Sequence, residues 1–256
     1  MAGTSDAVRI ISKLVDHLDL EVIATTTTSY GGDLALSAGA DEIIVGRLGS
    51  QEIADILEVN KIDLLVDATH PYASEATLNA IKSVQKSGIE YIRFERPSIT
   101  IPNNNKVFEV SSFEEAAKKA WDMMEDNVNG KIMHLAGVST ITHMIRKIPP
   151  RLIVARVLPM VFSIKKCLEL GIPSVNIIAM QGTFSKEFNK ALMKEYAIEL
   201  VITKESGETG GAPFKIDAAI SLEIPIIIVK RPKILELENK IVFNNVDDLV
   251  DKILNI

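Results

Sequence analysis

Asp63-Leu64-Leu65-Val66-Asp67-Ala68-Thr69-His70-Pro71-Tyr72-Ala73 is an apolar run that gives way to carboxylate, hydroxyl, imidazole and phenol. A short aliphatic run with a polar end reads as a buried strand of a parallel sheet. Open α/β sheets bind ligands beyond the carboxyl ends of their strands, so titratable groups gathered there mark a site. A second stretch of this kind, Thr203-Lys204-Glu205-Ser206-Gly207-Glu208-Thr209-Gly210-Gly211-Ala212-Pro213-Phe214-Lys215, follows another apolar run. The pair predicts an α/β protein whose two polar loops face each other across one cleft.

Outward from these loops, short β-rich runs alternate with longer segments of helical period, the pattern of parallel strands joined by crossover helices. Strands are expected at Glu21–Thr25, Glu42–Val45, Asp63–Asp67, Tyr91–Phe94, Lys131–Leu135, Leu152–Val157, Val175–Met180, Glu199–Thr203 and Pro225–Val229. Helices are expected at Glu75–Lys86, stopped by Gly88, and at Ser112–Asp126. Ile92–Pro97 and Ile227–Pro232 are each a strand closed by Arg-Pro, each followed by a second apolar run carrying Phe108 or Phe243 and then by an acidic helical segment. This internal repeat predicts two similar units joined near Asn127-Val128-Asn129-Gly130, with boundaries 1–129 and 130–256.

The chain has 256 residues, 47% hydrophobic and 24% charged, ordinary for a soluble protein of one large or two medium domains. With 34 acidic against 28 basic residues the net charge is -6, which opposes binding to nucleic acid or to an anionic membrane. Cys167 has no disulfide partner and no second thiolate for zinc, which suits a reducing cytoplasm, and its amphipathic surroundings point to a buried structural role. No apolar segment approaches the roughly 20 residues of a membrane span, and Met1–Asp6 lacks the basic start of an export signal, so a cytoplasmic location is expected.

At the amino terminus, Ala2-Gly3-Thr4-Ser5-Asp6 reads as a glycine turn entering a helix, where amides can hold a phosphate; an ordinary N-cap by Thr4 or Ser5 explains the same residues. Only Met1-Ala2 precedes this turn, so either the start lies upstream or the sheet lacks a central strand. Thr25–Gly32 is rich in hydroxyls and has no acidic residue to grip a ribose diol, which leans towards a phosphorylated ribose near Thr27 and Ser29, or towards no nucleotide. Gly46-Arg47 offers a phosphate partner or a solvated loop arginine. His70 suits proton donation or a hydrogen bond to a cofactor, since imidazole titrates near neutrality. No metal site is expected, because no other histidine has ligand spacing to it. Tyr72 could stack on an aromatic ligand or cap the next helix. In the second loop Lys204 and Lys215 flank Ser206, Gly207, Gly210 and Gly211, whose small side chains admit an anion to the backbone. The stretch lacks the Gly-Lys-Ser/Thr ending of a P-loop. Arg156 and Arg231 could add to a positive patch, or pair with Glu205 or Glu208.

On Asp67–Ala73, Arg96-Pro97, Thr203–Gly207, and Lys215 leading to Ile224-Pro225 and Arg231-Pro232, the chain resembles the precorrin-6A and cobalt-precorrin-6A reductases of cobalamin biosynthesis. Gly3-Thr4, Gly46-Arg47, Leu135-Ala136-Gly137 and Arg156 with Pro159 agree more weakly; Val138 stands where the family often places a basic residue. The resemblance implies two Rossmann-like domains with mainly parallel sheets and an interdomain cleft, and NAD(P)H-dependent reduction of one double bond in a corrin precursor, NADPH being expected and NADH possible. By position it places Gly3, Thr4, Ser5, Thr27, Ser29, Gly46, Arg47, Asp67, Ala68, Thr69 and His70 at the cofactor. Arg156, Lys204, Ser206, Gly207, Lys215 and Arg231 would hold the substrate's carboxylates, with His70 and Tyr72 at the reacting centre. Two other classes would use similar architecture: a cofactor-free tetrapyrrole lyase and a non-catalytic anion-binding protein.

Overall fold

Ile226-Ile227-Ile228-Val229 is buried at every position, as only a strand covered by helices on both faces can be. Around it the chain folds as an α/β protein in which every recorded strand pair is parallel. The computed structural model describes all residues except 16, 18, 19 and 125–128. They form two units, Met1–Pro97 with Pro232–Ile256, and Ser98–Arg231.

The first unit starts with α1 (Ser5–Leu14), β1 (Ile23–Thr26), α2 (Ser29–Ser37), β2 (Glu42–Val45), α3 (Ser50–Val59), β3 (Leu64–Asp67), α4 (Ser74–Ser87) and β4 (Glu90–Phe94). The second unit contains β5 (Val107–Val110), α5 (Phe113–Met124), β6 (Lys131–His134), α6 (Ile141–Met144), β7 (Ile153–Val157), α7 (Val161–Glu169), β8 (Ile177–Ala179), α8 (Lys186–Glu195), β9 (Ile198–Lys204), α9 (Ala212–Ser221) and β10 (Ile226–Val229). The chain then returns to the first unit as β11 (Ile241–Phe243) and α10 (Val246–Leu254).

The second unit has one six-stranded sheet in the order β5-β10-β9-β6-β7-β8. This is a doubly wound sheet whose order reverses between β6 and β9, and ligands of such sheets bind beyond the strand ends at that point. In the first unit β1 pairs with β2, and β3 with β4 and β11. Between the two groups lie Met1 and Ala2: Met1 N donates to Val66 O at 2.7 Å, Ala68 N to Met1 O at 3.1 Å, and Ala2 N to Thr25 O at 2.8 Å. Reading β2-β1-(Met1, Ala2)-β3-β4-β11 gives the same winding, with the switch point at the glycine turn.

The strands predicted from sequence all form, within a residue or two at most ends, and the two runs around Phe108 and Phe243 add β5 and β11. The expected end of the second helix at Asp126 lies outside the described residues. The 1–129/130–256 division is corrected. Val107–Val110 runs beside Ile226–Val229, and Ile241–Phe243 beside Ile92–Phe94. Each unit therefore completes its sheet with a strand and helix from the other half of the chain, and the crossings fall at Pro97 and Pro232 rather than at 127–130, of which 127 and 128 lie outside the described residues. Cys167 is buried, as expected, and burial pushes its thiol up. Among the described residues no helix is long and apolar enough to cross a membrane.

Leu249, fully buried on α10, packs with Ala7, Ile10 and Leu14 of α1 and with Ile92 and Phe94. Leu249→Ala should destabilise by about 2–5 kcal/mol. Hydrogen exchange should locate the loosening in residues 1–97 rather than in 98–231, although Leu249 lies near the far end of the sequence.

Candidate active site

In the first unit, the loop after β3 is built on a buried ion pair. The parallel register sets Asp67 beside Arg93 of β4, and both side chains are almost wholly buried. Arg93 Nη1 lies 2.8 Å from Asp67 Oδ1 and donates to Thr69 Oγ1 at 3.0 Å. Asp67 also accepts from Thr69 N at 3.0 Å, from Thr69 Oγ1 at 2.7 Å and from the Tyr91 hydroxyl at 2.9 Å. Burial by itself would push the Asp67 carboxyl up; Arg93, the two bonds from Thr69 and the Met1 ammonium outweigh it and hold the group below its ordinary range. Burial, followed by the Asp67 charge, pushes the Tyr91 phenol up, so it remains a donor.

This geometry corrects the roles assigned to Asp67 and Ala68. The Asp67 carboxylate lies beneath the loop and fixes it, and Ala68 is buried, its amide bound to Met1 O and its carbonyl accepting from Thr4 Oγ1 at 2.8 Å. Thr69 is half-buried with its hydroxyl engaged by Asp67 and Arg93. His70 and Tyr72 follow, half-buried, their rings 5.5 Å apart. His70 Nδ1 accepts from the Tyr72 amide at 3.2 Å, which leaves the proton of the neutral ring on Nε2. Arg93 and Tyr91 were missed in the sequence reading; the signal was a charged residue inside an otherwise apolar strand.

The glycine turn is built for close approach. Gly3 has φ +101°, and a Cβ added there would meet nothing within 4 Å. Thr4 caps α1 by accepting from Ala7 N at 3.1 Å, and Asp6 in the first turn is held by Arg96 at 2.6 Å, both buried. Ala2, Thr26, Thr27, Gly46, Leu48 and Thr69 border one groove, so the tips of β1, β2 and β3 open together. Ser5, Ser29 and Arg47 are exposed at the starts of α1 and α2 and beside Gly46. A phosphate-bearing dinucleotide fits these residues: an uncrowded glycine before a helix amino terminus, hydroxyls at the next strand tip and a cation beyond.

In the second unit, Arg156 on β7, Lys204 at the end of β9 and Lys215 on α9 form a cationic cluster. Lys215 is 9% exposed and donates from Nζ to Gly210 O at 2.9 Å. Burial, with repulsion from Arg156 and Lys204, lowers its ammonium to about 7. Arg156 donates to Asn189 Oδ1 at 2.8 Å and lies 5.0 Å from the Phe184 ring centre; burial lowers it to about 10. Ser206 and Gly207 are buried, with Ser206 Oγ donating to Gly210 O at 3.2 Å and Gly207 N to Glu205 Oε1 at 3.0 Å. Arg231 departs from its expected place in the patch. It is ion-paired to the buried Glu205, whose Oε1 also accepts from Ile99 N at 3.2 Å, so its charge is spent within the scaffold. His134, fully buried at the end of β6, was not singled out from sequence. Its Nε2 lies 2.8 Å from Thr140 Oγ1 and 3.3 Å from Gly137 O, and burial lowers it to about 4, so it holds the turn as a neutral ring.

Two parallel α/β units, one with a glycine turn of the dinucleotide-binding type and one with a cation cluster around the buried Lys215, define the class of the fold and its candidate site. The family model "Precorrin-6x reductase CbiJ/CobK" matches residues 1–254, and the chain belongs to that family. It is 48% identical over 256 residues to the cobalt-precorrin-6A reductase of Methanothermobacter thermautotrophicus, covering 100% of this chain and 83% of that one. It is 38% identical to the cobalt-precorrin-6A reductase of Methanocaldococcus jannaschii, covering 100% and 97%. The solved structure of CobK precorrin-6A reductase shares the fold at TM-score 0.77 and 19% identity, covering 99% of this chain and 94% of that one.

Arg93→Met should leave the Asp67 carboxylate buried and unpaired, destabilising by about 3–5 kcal/mol, whereas adding Asp67→Asn should recover much of the loss. Urea unfolding of the unsubstituted protein and the two variants checks this. Because Asp67 is held low in the folded state, the stability it contributes is fully present above the unfolded value near ~4 and is lost as pH falls through the folded one. The double variant should lack that acid-side decline.

Proposed function

We propose that this protein uses NADPH, with NADH as a poorer donor, to reduce one ring double bond of cobalt-precorrin-6A or precorrin-6A to the dihydro product. Family membership supports reduction as the reaction class, and the names of the relatives support the substrate. The observation that carries the substrate assignment is the cluster of Arg156, Lys204 and Lys215. Arg156 and Lys204 both repel the buried Lys215 ammonium in an acidic protein, an arrangement that a ligand bringing several carboxylates would stabilise.

The Gly3-Thr4-Ser5 turn receives the pyrophosphate at the amino terminus of α1, and Thr27, Ser29 and Arg47 receive the adenosine ribose and its phosphate. The bound nicotinamide supplies a hydride. Asp67 and Arg93 hold the Thr69-His70 backbone in place for the ring, and neither touches the reactants. His70 acts as an acid in its imidazolium form, giving the Nε2 proton to the carbon adjacent to the one reduced and returning to a neutral ring whose Nδ1 accepts from the Tyr72 amide, while Tyr72 packs against the imidazole and limits its rotation. Lys204 and Lys215, with Arg156, orient the macrocycle through its carboxylates; Ser206 and Gly207 shape the loop around them.

Anaerobic turnover followed by NADPH absorbance, with the corrin product identified by mass, tests this reading; no oxidation of NADPH in the presence of either substrate overturns it. His70→Ala should lower kcat by about 10²-fold or more with little change in NADPH affinity. Arg47→Ala should raise KM for NADPH and leave that for NADH nearly unchanged. Lys215 is charged below pH about 7 in the free protein, so substrate KM should rise as pH passes that value. Lys215→Arg should flatten the rise, and Lys215→Met should start from a higher KM. On the stability side, a lysine with a lowered folded pKa binds fewer protons folded than unfolded between about 7 and its ordinary value, so stability increases with pH across that window. Lys215→Met should remove the increase.

A further inference from the structure

The buried and half-buried arginines of this chain divide by the charge of the group that holds them. Arg93, Arg96 and Arg231 each face a carboxylate, from Asp67, Asp6 and Glu205. Arg156 instead faces a carboxamide, its Nη1 donating to Asn189 Oδ1 at 2.8 Å. Among the described residues no carboxylate pairs with Arg156 and no second side chain accepts from it. Its guanidinium, at about 10, is still protonated at neutral pH.

The pair follows from how β7 packs on α8. Val154 and Met193 belong to the same core cluster, which sets one face of the strand against the helix. Side chains two residues apart share a face of a strand, and those four apart share a face of a helix. Arg156 therefore follows Val154 towards the carboxyl end of β7, and Asn189 precedes Met193 towards the amino end of α8, so the two meet at the rim of the sheet. Asn189 is 1% exposed and uses both ends of its amide, with Nδ2 donating to Ser185 O at 2.7 Å and to Phe184 O at 3.1 Å. Its orientation is forced, since carbonyls only accept and a guanidinium only donates. The same side chain thus holds the loop that brings the Phe184 ring centre to 5.0 Å from the guanidinium. Arg156 is fixed along one edge and covered on one face, with its charge intact.

The geometry points to Asn189 as a positioning residue, a neutral partner that aims Arg156 at a carboxylate of the substrate without cancelling its charge. It rests on the proposed role of Arg156 as a contact to the substrate's carboxylates. Glu205 shows the alternative within the same unit: it fixes Arg231 and neutralises it in the same contact. An acidic side chain at position 189 would hold Arg156 as firmly, but it would also repel the incoming carboxylate that the arginine is there to meet. A carboxamide gives the hold without the repulsion, and its second end sets the Phe184 loop at the same time.

The test compares Asn189→Leu and Asn189→Asp, each alone and in an Arg156→Met background. Leu removes the acceptor, whereas Asp keeps an acceptor of nearly the same size and adds the charge. Each alone should raise substrate KM by at least about tenfold, with a smaller change in kcat and none in KM for NADPH. With Arg156→Met present, neither should raise KM further, because both act on one contact. Unchanged KM in Asn189→Asp overturns the need for a neutral partner, and that variant decides if Asn189→Leu does not fold. Equal increases with and without Arg156 overturn action through the arginine, as does a fall in Tm with no change in KM. The same cycle is read without NADPH as the Kd for uroporphyrin, a flat macrocycle ringed with carboxylates, by fluorescence titration. If corrin reduction fails but the Asn189 variants weaken uroporphyrin only while Arg156 is present, the reductase reading falls and the positioning role stands. Turnover with KM and Kd both unmoved keeps the reductase and overturns the positioning role. If neither ligand binds, Arg156 has no carboxylate to hold and both are overturned.

Discussion

Two Arg-Pro corners, each pinned by a buried carboxylate, fix where the chain leaves one sheet for the other. Arg96 ends its strand against Asp6 at 2.6 Å, and Arg231 ends its strand against Glu205. Proline then removes a ladder donor and keeps the preceding residue extended, so neither strand can continue or turn into a helix at once. From Pro97 the chain runs to β5 beside β10, and from Pro232 it runs to β11 beside β4. A parallel strand needs a long connection, and both crossings provide one. The ion pairs also reach the two loops of the candidate site. Asp6 sits in the first turn of α1, directly after the glycine turn, and Glu205 organises the loop through Gly207 N and Ile99 N.

This arrangement explains which parts of the fold were legible in the sequence. Buried parallel strands are continuous aliphatic runs, so Ile226–Val229 and Leu64–Asp67 announce themselves, and the helix opening at Ser74 shows its period through Ala80, Ile81 and Val84. The repeat of Arg-Pro was also visible. Its meaning was not, because a linear pattern of strand, corner, strand and helix is the same whether the last strand rejoins its own sheet or the other one. Only the register of Val107–Val110 on β10 and of Ile241–Phe243 on β4 decides, and pairing between distant segments leaves no local trace. Both strands are short and partly exposed at the sheet edge, with weaker patterns than the central ones.

The site was legible to a similar depth. Residues whose chemistry is exposed in the motif, such as Gly3, Thr27, Gly46, Thr69, His70, Lys204 and Lys215, stand out by type and position as candidates. Residues that hold them do not. Arg93 reads as an anomaly inside a strand, and only the parallel register beside Asp67 gives it a partner. The same limit misplaced Asp67: a carboxylate at a strand end reads as a ligand contact until its oxygens are seen to be taken by Arg93, Thr69 and Tyr91. For Arg231 the sequence left two places open, the positive patch or a pairing with Glu205 or Glu208, and only the structure chooses Glu205.

The fate of Arg231 sharpens what the remaining cations do. An arginine neutralised within the scaffold builds the loop, whereas at Lys215 burial, with added repulsion from Arg156 and Lys204, brings the ammonium down to about 7. Such a cluster is under electrostatic tension near neutral pH, and Lys215 relieves part of it by giving up its proton. A ligand with one carboxylate would meet one cation and leave the others repelling. On the proposed reading, a ligand with several spaced carboxylates would answer all three and draw the proton back onto Lys215, which a smaller anion would not do. On that reading, preference for a polyanion would come from this local grouping of cations, since an overall charge of -6 gives no general attraction to anions.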